Sequence, residues 1–232
     1  MPRALLVRVG IDSSDDGHWN APVDCQSGRF VYAPIAETKR VRKNFARFYE
    51  EIENSLRALR QSLPSHLSGQ RMHLDPDFAA LSYGDQGRRA KQIQTLNTGD
   101  LLVFYASLRD IKTRHLVYGI IGIFVIEEIY LASGIARELW GQNAHTRRIP
   151  GTSDIVVRAV PKLSGRFERL LPIGEYRDRA YRVTRPLLSA WGDLKVRDGY
   201  LQRSARLPEF KDADKFHRWL KDRKIPLLNR NN

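Results

Sequence analysis

Between residues 98 and 129 the chain reads TGDLLVFYASLRDIKTRHLVYGIIGIFVIEEI. Two β-branched and aromatic runs, 101–106 and 116–126, flank a short basic connector, a pattern that predicts adjacent antiparallel strands. Both are apolar on each face, so they belong in the middle of a sheet or small barrel rather than in a surface hairpin. Upstream, residues 4–9 predict a first strand and 29–32 a short one. Phe45, Phe48, Ile52, Leu56 and Leu59 recur at spacings of three and four, predicting an amphipathic helix over 43–62 that ends before Pro64. A long polar loop then leads to about Gly87, with a short helix over 88–96. Downstream the pattern predicts a helix near 131–139, a strand at 154–160 and weaker β segments near Leu170 and Tyr181. Helices follow at 186–191 and 212–221. Strands and helices mixed without βαβ regularity define an α+β chain.

Charge changes the picture. Thirty-nine Lys and Arg stand against 26 Asp and Glu among 232 residues, a formal net charge of +13. The excess is spread over Gly-, Pro- and polar-flanked segments, where loops present side chains, and it suits a polyanionic partner better than it suits solubility alone. The single cysteine, Cys25, excludes an internal disulfide or a thiolate metal cluster. The longest apolar run is broken by Gly119 and Gly122 and stops at Glu127, too short for a bilayer span. MPRALLVRVG lacks the long apolar core of a signal peptide, so a cytoplasmic protein with no membrane partner is expected. Gly10, Gly17 and Gly28 make no dinucleotide fingerprint, and neither a phosphate-binding Walker motif nor a nucleophile elbow occurs.

Four polar segments carry candidate chemistry. HWNAPVD brings His18, Trp19, Asn20 and Asp24 into one loop, an indole and an amide suited to the flat face and polar edge of a base. Packing of Trp19 onto the core and turn-capping by Asn20 is the competing account. His18 with Asp12, Asp15 and Asp16 could hold a metal, but acidic turns are common and no metal is expected. In SYGDQGRRA, residues 82–90, Tyr83 could stack, Asp85 and Gln86 could pair with a base edge, and Arg88 and Arg89 could hold phosphate. A helix start capped by Asp85 is the plainer alternative. In GQNAHTRR, Asn143 and His145 precede Arg147 and Arg148, a potential general acid or base beside phosphate-binding charge. The segment DGYLQRSARLPEF offers Asp198, Tyr200, Gln202, Arg203, Ser204 and Arg206, with Ser164-Gly165-Arg166 as a smaller polar turn of the same kind. Asp12, Asp85 and His145 are thus the acid–base candidates. His18, Trp19, Asn20, Asp24, Tyr83, Gln86, Asn143, Tyr200 and Gln202 are candidates for the base, and Arg88, Arg89, Arg147, Arg148, Arg166, Arg203 and Arg206 for phosphate.

The strand pair GDLLVFYAS and YGIIGIFVIEEI resembles the central strands of the PUA-like superfamily, the EVE, ASCH and YTH type. That resemblance implies a small mixed or antiparallel barrel over roughly residues 98–185 of a single domain spanning 1–232, with a pocket for a flipped base. ALLVRVGID, HWNAPVD, DPDFAALSYGDQGRRAKQI, NAHTRR and DGYLQRSARLPEF, with the GDLLVFYAS strand, make the chain similar to the nucleotide-modification-associated domain 3 family, associated with DNA base hypermodification. The implied function is processing of a flipped, modified base of 7-deazaguanine type by metal-free hydrolysis or hydration of a substituent, with no cofactor. The implied partners are DNA carrying a modified base and proteins of a base-modification operon. The alternative is a reader that binds modified bases in DNA or RNA through Trp19, Tyr83 and Tyr105. Either reading requires the four segments to converge over one mouth of the β scaffold.

Overall fold

The computed structural model describes residues 2–13, 18–201 and 206–232. Its strands are β1 (Ala4–Arg8), β2 (Pro22–Val23), β3 (Ile35–Ala36), β4 (Met72–His73), β5 (Ser82–Asp85), β6 (Leu101–Asp110), β7 (Leu116–Leu131), β8 (Ile155–Ala159), β9 (Gly165–Pro172), β10 (Gly174–Arg177), β11 (Ala180–Val183) and β12 (Leu227–Leu228). The helices are α1 (Glu53–Ala58), α2 (Gly87–Ile93), α3 (Ala144–Arg147), α4 (Arg185–Trp191) and α5 (Ala213–Lys221), with several single 3-10 turns between. The architecture is mixed α+β around one eight-stranded sheet whose main path runs β1-β6-β7-β8-β5. β1 pairs parallel with β6, whereas β6, β7, β8 and β5 pair antiparallel in succession. The path has two separate ends, β1 and β5, and no barrel closes among the described residues. Nor is any described helix long and apolar enough to cross a membrane.

The central strands are buried on both faces because alternate side chains serve two different cores. Leu5, Val7, Leu102, Phe104 and Phe124 join one cluster, while Ala4, Leu6, Leu101, Val103 and Ile123 join the other. The second cluster is closed by α4 and α5 through Leu188, Trp191, Phe216 and Leu220. The first is covered by the chain between residues 30 and 96, including Tyr32, Tyr49, Leu56, Phe78 and Ile93. This covering layer carries the site. Phe78 is its anchor, packed edge-on against Phe104 and Phe124 at centroid distances of 5.8 and 5.5 Å. It reaches the sheet because Gly122 of β7 has no side chain; a Cβ there would stand 2.4 Å from the Phe78 ring.

Three local expectations are corrected. The helix expected over 43–62 shrinks to a 3-10 turn, Tyr49–Ile52, followed by α1. The backbone of residues 47–49 pairs instead with 70–72, with Tyr49 N donating to Gln70 O and Met72 N to Arg47 O. The helix expected near 131–139 is replaced by the end of β7 and two 3-10 turns, because residues 128–131 pair with β8. The long polar loop before Gly87 contains β4 and β5, short strands whose polar residues hid them.

Candidate active site

Each piece of the site is set by local pairing. Ile35 of β3 lies opposite His73 of β4, which brings Glu37 beside the His73 ring. The backbones of Asp77 and Ser82 exchange two hydrogen bonds, at 2.9 and 3.1 Å, and close the intervening loop. The closed loop returns Gly84 to Asp75, and the Gly84 N–H donates to both carboxylate oxygens at 2.9 and 3.0 Å. Asn143 caps α3 by accepting from the His145 N–H at 2.9 Å, while its amide donates to Asp75 Oδ1 at 3.1 Å and to Ser82 Oγ at 3.2 Å. Gly84 is obligatory in this packing, since a Cβ would fall 2.4 Å from His145 Cδ2.

The result is a buried Asp75 carboxylate faced by two imidazoles. His145 Nε2 lies 3.6 Å and His73 Nε2 3.8 Å from Asp75 Oδ2, beyond hydrogen-bond reach. The other nitrogen of each ring is fixed by a carboxylate: His73 Nδ1 to Glu37 at 2.6 Å and His145 Nδ1 to Asp154 at 2.9 Å. Donation from Nδ1 leaves the Nε2 lone pairs directed at the space beside Asp75. The buried Arg148 guanidinium joins the two outer carboxylates, 3.0 Å from Asp154 and 3.6 Å from Glu37. It also stands 3.1 Å from His145 Nδ1; its proton goes to Asp154, since a donating nitrogen offers no lone pair.

Burial dominates the electrostatics. It pushes the Asp75 carboxyl well above the usual carboxylate range, against the opposing donors Gly84 and Asn143. It likewise lowers the His145 pKa and favours the neutral ring, outweighing the Asp154 hydrogen bond that favours the cation. For Asp154 and Glu37 burial acts upward too, but hydrogen bonds from His145 and Arg148 to one and from His73 to the other hold both carboxyls low.

These groups form the floor of an open cavity of about 260 Å³. Tyr83, Asp85, Gln86 and Arg89 line one wall, and Arg8, Gly10, Ile35 and Lys39 line another. Of the residues singled out by sequence, Tyr83, Asp85, Gln86, Arg89, His145 and Arg148 line this cavity, and Asn143 supports it from below. The Tyr83 hydroxyl donates to Asp85 at 2.6 Å and accepts from Arg89 at 2.7 Å. Asp12 is buried behind the wall and pairs with Arg8 at 2.7 Å.

The other candidates lie elsewhere. His18 is exposed, Trp19 packs against the first core, and Asn20 donates to the Ser107 carbonyl at 3.0 Å. Asp24 shapes its own turn by accepting from Ser27 at 2.6 Å. Arg88 is exposed on α2 outside the cavity lining, and Arg147 is buried in an ion pair with Asp77. Ser164-Gly165-Arg166 is no polar turn: Gly165 and Arg166 lie in β9, and Ser164 Oγ accepts from Val125 N. Arg166 lines a different cavity, its guanidinium 3.9 Å above the Phe30 ring and donating to the Phe30 carbonyl at 2.7 Å. Tyr200 lies beside Arg182, and Asp198 pairs with Arg177; neither belongs to the cavity lining. Tyr105 is buried in the second core, and Arg206 is exposed. Asp15, Asp16, Gln202, Arg203 and Ser204 lie outside the described residues.

Sequence reasoning missed Glu37, His73, Asp75 and Asp154. The signal for two of them was HLD, where His73 and Asp75 flank the buried Leu74 and therefore share a face. Fold and site together define an α+β protein with a histidine–carboxylate centre under a polar cavity. A family model described as nucleotide modification associated domain 3 matches residues 3–225, and the chain belongs to that family. No curated protein and no solved structure matches it.

Proposed function

We propose that this protein is an enzyme that modifies a nucleobase, taking the base into the cavity above Asp75 and adding water to a substituent or hydrolysing it. The observation that carries this reading is the pair of imidazole Nε2 atoms facing one buried carboxylate beneath an open, cation-walled cavity. The two imidazoles, each oriented by its own carboxylate, direct their Nε2 atoms at the space above Asp75 and are equipped to hold the water that the reaction consumes. Asp85 and Gln86 offer acceptors and an amide to a base edge, while Arg8, Arg89 and Lys39 meet the negative charge of a nucleotide. Membership of a nucleotide-modification family supports nucleotide chemistry, and the excess of Lys and Arg, 39 against 26 Asp and Glu, supports a base carried in a polyanion such as DNA. Extrusion of a base costs a few kcal/mol, least for a modified or poorly stacked one. Hydration of a nitrile to an amide on a 7-deazaguanine is a reaction of this kind: one water is consumed, its oxygen joins the nitrile carbon and its protons end on nitrogen.

The reader alternative needs an aromatic cage, but of Trp19, Tyr83 and Tyr105 it is Tyr83 alone that lines the cavity, so the enzyme is favoured. The test is to incubate the protein with duplexes carrying 7-cyano-7-deazaguanine or only ordinary bases, digest them to nucleosides and weigh the products. A gain of one water on the modified nucleoside is expected. Tight binding without any mass change would overturn the enzyme in favour of the reader.

A further inference from the structure

We infer that His73, Asp75 and His145 form a mononuclear metal site for a divalent first-row transition ion, bound by the two Nε2 atoms and the Asp75 carboxylate. The inference deepens the proposed function, on which it rests for its purpose: the ion would hold the water that the enzyme delivers. Its grounds are independent of any substrate.

The spacing is the first ground. The potential ligand atoms lie within 4.8 Å of one another, and both nitrogens stand 3.6–3.8 Å from Asp75 Oδ2. Tetrahedral ligands with bonds of about 2.1 Å are separated by about 3.4 Å. Hydrogen-bonded groups would be closer, at about 2.7–3.2 Å, so the three atoms surround a gap of ionic size rather than bonding to each other. The second ground is orientation. Each imidazole is clamped through Nδ1 by its own carboxylate, Glu37 or Asp154, the arrangement that fixes the tautomer and ring plane of metal-binding histidines. Two histidines so clamped and aimed at one carboxylate are hard to explain by packing alone. The third is charge. Among the described residues the ion-pair partners of buried Asp75 are those two imidazoles, while Arg148 is shared by Glu37 and Asp154. An ion bound between them would supply the positive charge that keeps this buried carboxyl ionised. Two histidines and one carboxylate leave coordination positions open toward the cavity and favour Zn²⁺, Fe²⁺, Co²⁺ or Mn²⁺ over Ca²⁺.

The test uses the full chain, stripped with a chelator and desalted, then titrated with Co²⁺ while its visible absorption is recorded, with Zn²⁺ competition to follow. One equivalent is expected to bind, with Zn²⁺ displacing it, and His73→Ala, Asp75→Ala and His145→Ala should each weaken binding at least 100-fold. His66→Ala should bind normally. If a ligand variant fails to fold, wild-type imidazole nitrogen resonances decide: Zn²⁺ should shift two Nε2 signals, and these should be the signals left in place when His66, His18, His115 and His217 are replaced. No stoichiometric binding, or binding retained without His73 and Asp75, would overturn the site. Metal binding with no change to any nucleoside would leave the site standing and defeat the proposed function instead.

Discussion

Gly84 and His145 touch so closely that a methyl group cannot come between them: a Cβ on Gly84 would lie 2.4 Å from His145 Cδ2 and 2.6 Å from Asn143 Oδ1. The same glycine donates its N–H to Asp75, so one small residue sets both the buried carboxylate and the imidazole beside it. Gly84→Ala should therefore cost about 1–3 kcal/mol of stability through overpacking. Denaturant unfolding measures that loss. Turnover of a modified nucleoside should fall by at least tenfold at a temperature where the variant remains folded.

Glu37 and Asp154 each hold one imidazole through its Nδ1. Glu37→Gln and Asp154→Asn should each lower Co²⁺ affinity by about 10–100-fold, the usual cost of losing a carboxylate behind a ligating histidine. Circular dichroism should show the fold retained. Turnover should recover when the ion is supplied in excess, a rescue that a general loss of structure would not allow.

Acid stability depends in part on Asp110, which is not part of the cavity lining. Burial works against its charge, but the N–H and hydroxyl of Thr113 and the Cys25 N–H outweigh burial and hold the carboxyl well below its ordinary value near 3.8. A carboxyl depressed in the folded state adds stability that is fully present above the unfolded value and is lost as pH falls toward the folded one. Asp110→Asn should thus be less stable than wild type at pH 7, by about 1.5 kcal/mol. The gap should narrow steadily below pH 4, as read from urea midpoints at each pH.

Residues that the sequence suggested and the fold places elsewhere supply the contrast. Trp19→Ala should lose roughly 2 kcal/mol of stability, because the ring is partly buried against the first core. Its affinity for a modified duplex should change less than twofold, as should that of Asp24→Ala. A tenfold loss of affinity on Trp19→Ala, measured by fluorescence anisotropy, would return the indole to the base-binding surface.

The fold was legible where periodicity was strong. The doubly apolar runs of β6 and β7 announced a central sheet, and the pattern over 212–221 announced α5, whose cap proves to be Asp212. The site was legible where Gly, Asp and Arg clustered, in SYGDQGRRA and NAHTRR. It was illegible where the determinants are tertiary. His73 and Asp75 sit in a polar stretch whose strand is two residues long, and Glu37 gains its meaning only from the β3–β4 register. Asp154 is separated from His145 by a turn that no periodicity reveals. Conversely, Trp19 and Asn20 have the chemistry of a base pocket, yet burial commits them to the core and to Ser107.

The account stands on Asp75 and His145 working together on a base, and the most direct measurement is the nucleoside mass spectrum of modified duplex treated with variants. Asp75→Ala and His145→Ala should abolish the new mass, while Tyr200→Ala, outside the cavity lining, should form it at a rate within twofold of wild type. Product formed at the wild-type rate by a folded Asp75→Ala protein would contradict the account.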